Sequence, residues 1–126
     1  MKLSRIGGMG LVLFLPFLFS GVASASPDTT LTLTVQTGKE LKSVELFCSP
    51  FGGSHPDAEH ACKELGEARG NLDALPGLSG TTTCTMEYSP VTAKAEGTWD
   101  GEAVAWTHEF GNSCNLYTAT GTVFSF

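Results

Sequence analysis

The sequence predicts an α+β fold: one small domain in which an antiparallel sheet of about five strands carries one main helix. There is room for a short second helix. Three observations predict it. Segments of period-two hydrophobicity recur along the chain, a single segment has helical periodicity, and four cysteines in a short exported chain read as two disulfides.

The N-terminus decides the compartment. Lys2 and Arg5 are followed by the apolar run Met9–Phe19 and then by Ala23-Ser24-Ala25. That order predicts a secretory signal peptide over residues 1–25, removed by cleavage before Ser26. The run is shorter than the about 20 apolar residues of a membrane-spanning helix. Residues 26–126 are then the folded domain, 126 − 25 = 101 residues, enough for one small core. Removing Lys2 and Arg5 takes the net charge from −6 to −8. An acidic chain with no Lys/Arg cluster is a poor partner for nucleic acid or an anionic membrane.

Leu31, Leu33 and Val35 alternate with threonines, and Val44, Leu46 and Cys48 alternate after Gly38, predicting two strands. Ser49–Ser54 is turn-rich. A helix follows, with Ser54 as the expected N-cap, Pro56 in the first turn, and Asp57 and Glu59 at the positive end of the dipole. Ala58, Ala61, Cys62, Leu65 and Ala68 share one face, Arg69 falls in the last turn, and Gly70 closes the helix. Residues 71–83 read as irregular. Val91–Trp99 alternates, Asp100-Gly101 signals a tight hairpin, and Val104, Trp106, His108 and Phe110 share one face of the return strand. Gly111-Asn112-Ser113 ends that strand, and Val123–Phe126 reads as a final strand or a buried tail. One helix cannot cover both faces of the sheet, so an exposed apolar face is expected.

Cys48, Cys62, Cys84 and Cys114 all follow the cleavage site, and three pairings are open. Zinc would require Cys or His pairs two to four residues apart; none occurs, and neither metal nor cofactor is expected. His55 and His60 are five apart and do not share a helix face; they read as a cap-region and a solvated histidine, and His108 as a strand histidine. No G-x-S-x-G elbow is present, and oxidised cysteines leave no thiolate, so the chain does not read as an enzyme.

Thr81–Val91 has no helical periodicity, is rich in β-branched residues, and lies between Gly80 and Pro90. It should be an extended, exposed loop. A disulfide at Cys84 would tether it two residues before Met86, and Pro90 stiffens its far side. Proteases bind substrates in extended form, so a loop held in that shape avoids much of the ordering cost of binding.

The ordered motifs are specific. Cys48-Ser-Pro50 with Gly52, Ser54-His55-Pro56, Ala61-Cys62-x-x-Leu65 and Gly70-x-Leu72-x-Ala74-Leu75 come first. Cys84-x-Met86-x-Tyr88-x-Pro90-Val91, Gly97-x-Trp99-x-Gly101, Phe110-x-Asn112-x-Cys114 and Val123-Phe124-Ser125-Phe126 follow. Together they resemble the Streptomyces subtilisin inhibitor family from Leu31 to Phe126. The resemblance implies disulfides Cys48–Cys62 and Cys84–Cys114, and inhibition of subtilisin-like serine proteases through a reactive bond Met86–Glu87. Thr83, Cys84, Thr85, Tyr88 and Ser89 would complete the reactive loop, with Asn112 supporting it from behind. It also implies a homodimer formed by packing sheet faces. The chain departs from the pattern in three places. Thr85 stands where members often have Pro, Glu87 where they often have an apolar residue, and Thr83 where a longer apolar residue is common. Losing the rigid Pro and an apolar anchor costs binding on the order of 1–2 kcal/mol.

A second reading is a secreted β-rich binding or adhesion module using Trp99, Trp106, Tyr88 and Tyr117. Coplanar exposed aromatics would favour it, and an exposed Met86 loop would favour inhibition.

Overall fold

The computed structural model describes residues 7–8, 10–17, 26–77 and 83–126. The charged start at Lys2 and Arg5, the Ala23-Ser24-Ala25 site, and Gly80, Thr81 and Thr82 lie outside the described residues. Leu11–Phe17 is exposed and belongs to no helix or strand. Among the described residues, no helix is long and apolar enough to cross a membrane.

Five antiparallel strands form one sheet in the order β3-β2-β1-β4-β5. They are β1 (Thr29–Thr37), β2 (Glu40–Cys48), the two-residue β3 (Gly52–Gly53), β4 (Val91–Trp99) and β5 (Glu102–Phe110). The alternation in β1 sets one face. Leu31, Leu33 and Val35 are buried, and across the register stand Leu46 and Val44 on β2 and Ala95 and Ala93 on β4. Small alanines on β4 let the layer beneath approach closely. That layer holds α1 (Ala58–Glu67), α2 (Ser113–Thr120) and the C-terminal tail, with Ala61, Leu65, Leu116, Val123 and Phe124 fully buried. Burying a Leu- or Phe-sized side chain contributes about 1.5–3 kcal/mol, so this seam holds the domain together.

The opposite sheet face corrects one expectation. It carries Thr32, Thr34, Ser43, Glu45, Thr92, Lys94, Glu96 and Thr107, with Lys94 paired to Glu96 at 3.2 Å. It is not apolar; Leu41 is the large hydrophobic side chain standing out of it. The physical reason lies in the chain order. Both helices and the tail pack on the Leu31 face, so the other meets water and carries threonines and the Lys94–Glu96 pair.

The helix start is corrected too. Asp57, not Ser54, caps α1, and Pro56 precedes the helix. Ser54 Oγ instead accepts from Glu45 N at 2.9 Å, and His55 N donates to Glu45 O at 3.1 Å. These bonds keep the chain running along the edge of β2 through His55. His55 is buried, its Nε2 bonding Val123 O and its Nδ1 accepting from Asp57 N, each at 2.9 Å. The tail is thereby tied to the mouth of α1, and the chain turns helical only afterwards.

At the far end Arg69 lies beyond the helix rather than in its last turn. It occupies the left-handed position with φ 55°, and Arg69 N→Gly66 O and Gly70 N→Leu65 O close the helix in a Schellman motif. Gly70 is needed for a second reason: a Cβ there would collide with the Trp99 indole. The stretch read as irregular contains a 3-10 turn, Leu72–Ala74, that buries Leu72. Asp100-Gly101 makes the expected hairpin, with Trp99 opposite Glu102. Val123–Phe126 is a tail and not a strand, with Val123 and Phe124 buried, Phe126 half-buried and Ser125 exposed.

Candidate functional site

Thr83–Pro90 leaves the core and forms neither helix nor strand, and all but the half-buried Cys84 are exposed. Met86 is 100% exposed and Tyr88 is 77% exposed. A side chain left this exposed gains nothing from burial, so other attachments must fix the backbone of its segment. Three attachments fix it here. Cys84 is bonded to Cys114 with Cα atoms 5.6 Å apart, which anchors the loop to the first turn of α2. Ser89 N donates to Gly111 O at 2.8 Å, anchoring the other side to the end of β5. Between them, Asn112 Nδ2 donates to Thr85 O at 3.0 Å and to Glu87 O at 2.9 Å.

Asn112 is itself held by its second function. It caps α2, its Oδ1 accepting from Asn115 N at 2.9 Å, and the residue is buried. The amide therefore uses its oxygen to start the helix and both protons to hold the loop, which satisfies its donors fully. The geometry has a consequence for Met86. Successive carbonyls of an extended chain point to opposite sides. With the carbonyls of Thr85 and Glu87 both turned toward Asn112, the Met86 carbonyl between them faces outward. The bond from Met86 to Glu87 is thus presented with its carbonyl free and its flanks clamped.

The sequence did not place α2, although a short second helix was allowed for. Its stripe is weak, because Leu116 is its single large buried residue amid threonines and Tyr117. The Asn112-x-x-Asn115 spacing was the available signal, an Asx cap before a helical turn. The other disulfide, Cys48–Cys62, joins the end of β2 to α1 with Cα atoms 5.7 Å apart, away from the loop.

The remaining candidates do not converge. His60 is exposed and bonds Asp57 at 2.9 Å, His55 ties down the tail, and His108 stacks beside Trp106 and Phe110 on β5. Asp57 is held below its usual carboxyl value chiefly by the hydrogen bond from His60, which in turn is raised chiefly by that bond. Among the described residues no three His, Cys, Asp or Glu side chains gather as a metal site would require. Nor do the aromatics form a platform. Trp106 donates to Asp73 and packs on Phe124, Trp99 is half-buried by Gly70, and Tyr88 belongs to the loop.

Comparison with known proteins agrees with this geometry. The model of the Subtilisin inhibitor-like family matches residues 27–112. Protease inhibitor SIL-V2 of Streptomyces orinoci is 41% identical over 104 residues, covering 78% of this chain and 95% of that one. Subtilisin inhibitor-like protein 5 of Streptomyces fradiae is 44% identical over 94 residues, covering 74% and 87%. Among solved structures, Streptomyces caespitosus sermetstatin in complex with Bacillus licheniformis subtilisin superposes with a TM-score of 0.62. It is 30% identical, with 77% of this chain and 97% of that one covered. With a family match over most of its length and relatives near 40% identity, this chain belongs to the subtilisin inhibitor-like family.

Proposed function

We propose that the protein is a secreted inhibitor of subtilisin-like serine proteases that presents Met86–Glu87 as its reactive bond. One observation carries the reading. Met86 stands fully exposed on a segment whose two flanking carbonyls are clamped by one buried side chain, Asn112. Relatives named as protease inhibitors, and a fold neighbour bound to subtilisin, support the class of target.

The loop enters the protease as a substrate would, with the Met86 thioether in the primary specificity pocket. An unbranched, polarisable side chain suits a broad apolar pocket and fits poorly in one built for a cation. The catalytic serine attacks the outward Met86 carbonyl, and an acyl-enzyme would release the Glu87 amine. That amine cannot leave, because Glu87 O is held by Asn112 and the chain is tied down again at Ser89 N. It stays beside the acyl carbon, where religation outruns attack by water. The rigid loop also enters the complex having lost most of its freedom already, so little of the binding energy goes into ordering it.

Residues 1–25 are read as the signal peptide, which places the protein outside the cell. The homodimer is read as forming through the polar sheet face around Leu41, which analytical ultracentrifugation of wild type against Leu41→Lys tests. No chemistry of the protein's own is involved.

Titration of subtilisin and trypsin with wild type, Met86→Gly and Met86→Lys tests the inhibitor reading. Stoichiometric subtilisin inhibition that is lost in Met86→Gly, with trypsin inhibition gained in Met86→Lys, supports function and bond together. A wild type that is cut after Met86 and released sinks the reading.

A further inference from the structure

The reactive-loop region of this acidic protein is almost free of charge, with one exception placed beside the proposed scissile bond. Thr83–Pro90 contains a single ionisable carboxylate, Glu87, and no Lys or Arg. The segment that supports the loop, from Phe110 through Asn112 and α2 to Phe126, has no charged side chain at all. Glu87 is exposed, and among the described residues its carboxylate takes part in neither of the ion pairs, His60–Asp57 and Lys94–Glu96. Its main chain, by contrast, is fixed, because Glu87 O accepts from Asn112. A charge with no partner of its own, on a backbone that cannot move it away, must meet whatever the protease places just beyond the scissile bond.

We propose that Glu87 is a second specificity-determining residue, beside Met86, that directs this inhibitor to proteases whose subsite for the residue after the cleaved bond carries a Lys or Arg. The inference rests on the reactive-bond reading above and adds the chemistry of the partner. Binding strips water from the carboxylate at the centre of the contact. A cationic group across the interface replaces that hydration with a charge-assisted hydrogen bond. A neutral or acidic subsite leaves the carboxylate desolvated and unpaired, the repulsive element by which a binding surface rejects wrong partners. Within the loop and the segment behind it, Glu87 is the one side chain that carries a charge to make this choice. The excess of acidic residues over the whole chain acts in the same direction, steering the molecule toward a positively charged face during encounter.

The test uses one subtilisin-type protease and two variants of it, with a single Lys or a single Glu introduced in that subsite. Inhibition constants and association rates are measured for the wild-type chain, Glu87→Gln and Glu87→Lys, at low and high salt. The expected result is a crossover. Wild type holds the Lys-bearing enzyme about tenfold more tightly than Glu87→Gln does and about 100-fold more tightly than Glu87→Lys does, with the order reversed on the Glu-bearing enzyme. The wild-type preference should shrink as salt rises. Equal inhibition of both enzymes by all three chains, within about twofold, overturns the assignment and leaves the inhibitor reading intact. Failure of the wild-type chain to inhibit any of the three enzymes overturns the inhibitor reading itself, and this inference with it.

Discussion

The two disulfides are nearly alike in span between Cα atoms, 5.7 Å and 5.6 Å, yet they hold different kinds of structure. Cys48–Cys62 joins β2 to α1 in a region already crowded with buried side chains, His55 and Leu46 among them. Cys84–Cys114 joins α2 to a loop with almost no buried surface of its own. The first reinforces packing that exists without it. The second substitutes for packing, fixing a segment that hydrophobic burial cannot hold. A functional loop must be exposed to meet its partner and rigid to resist it, and only covalent and hydrogen-bonded attachments satisfy both demands.

Breaking Cys84–Cys114 should therefore have the largest effect. Its 30-residue separation gives about 3.6 kcal/mol by the chain-entropy account. Cys84→Ala with Cys114→Ala should lose that stability and also lose inhibition, with subtilisin cutting after Met86. Mass spectrometry of the digest and a urea melt report the two losses separately. Breaking Cys48–Cys62, with a separation of 14, should cost about 3 kcal/mol. That variant should inhibit within about twofold of wild type at temperatures where it is folded. If both variants became substrates, the contrast between the two bridges would be wrong.

Asn112 sharpens the same contrast, since one side chain serves fold and loop at once. Asn112→Ala removes the α2 cap, worth about 1 kcal/mol, and two hydrogen bonds to the loop, worth together about 1–3 kcal/mol. Asn112→Asp keeps an acceptor for Asn115 N and loses both donors. It should keep the α2 cap yet be less stable than wild type by about 1–3 kcal/mol, the worth of the two lost loop bonds, while inhibiting about 10- to 100-fold less well. Equal inhibition by Asn112→Asp and wild type would show that Cys84–Cys114 and the Ser89 N–Gly111 O bond hold the loop without Asn112.

Much of this was legible in the sequence because it is written in local periodicity. The alternation at Leu31–Val35 and the Ala61–Leu65 stripe each placed a core face correctly, and Asp100-Gly101 placed a turn. What escaped depended on contacts far apart in the chain. Ser54 looks like a cap, but it is taken by Glu45 across the sheet edge, and the cap passes to Asp57. The uncovered sheet face was expected to be apolar. Its threonines instead belong to a face that neither helix nor the tail reaches, which only the topology reveals. Within the loop, exposure followed from composition, whereas the turning outward of the Met86 carbonyl follows from Asn112 bonding Thr85 and Glu87 together. No spacing rule encodes one amide reaching two carbonyls.

The smallest effect belongs to the side of the molecule held by Cys48–Cys62, where the exposed pair of Asp57 and His60 closes the start of α1. The His60 pKa is raised above 6.5 chiefly by its hydrogen bond to Asp57. Its contribution is therefore complete below 6.5 and fades as pH rises through the raised value. The Asp57 pKa is lowered from 3.8 chiefly by the same bond, so its contribution is complete above 3.8 and fades as pH falls through the lowered value. Between 3.8 and 6.5 both contributions are present, and both groups are solvated enough that the gain is small. The difference in melting temperature between wild type and His60→Gln should be widest in that window and narrow toward alkaline pH. A difference that stays constant with pH would mean that the pair is a contact without electrostatic consequence. Inhibition should be the same for the two proteins at every pH, since nothing in the Asp57–His60 pair touches the loop that Asn112 and Cys84 hold.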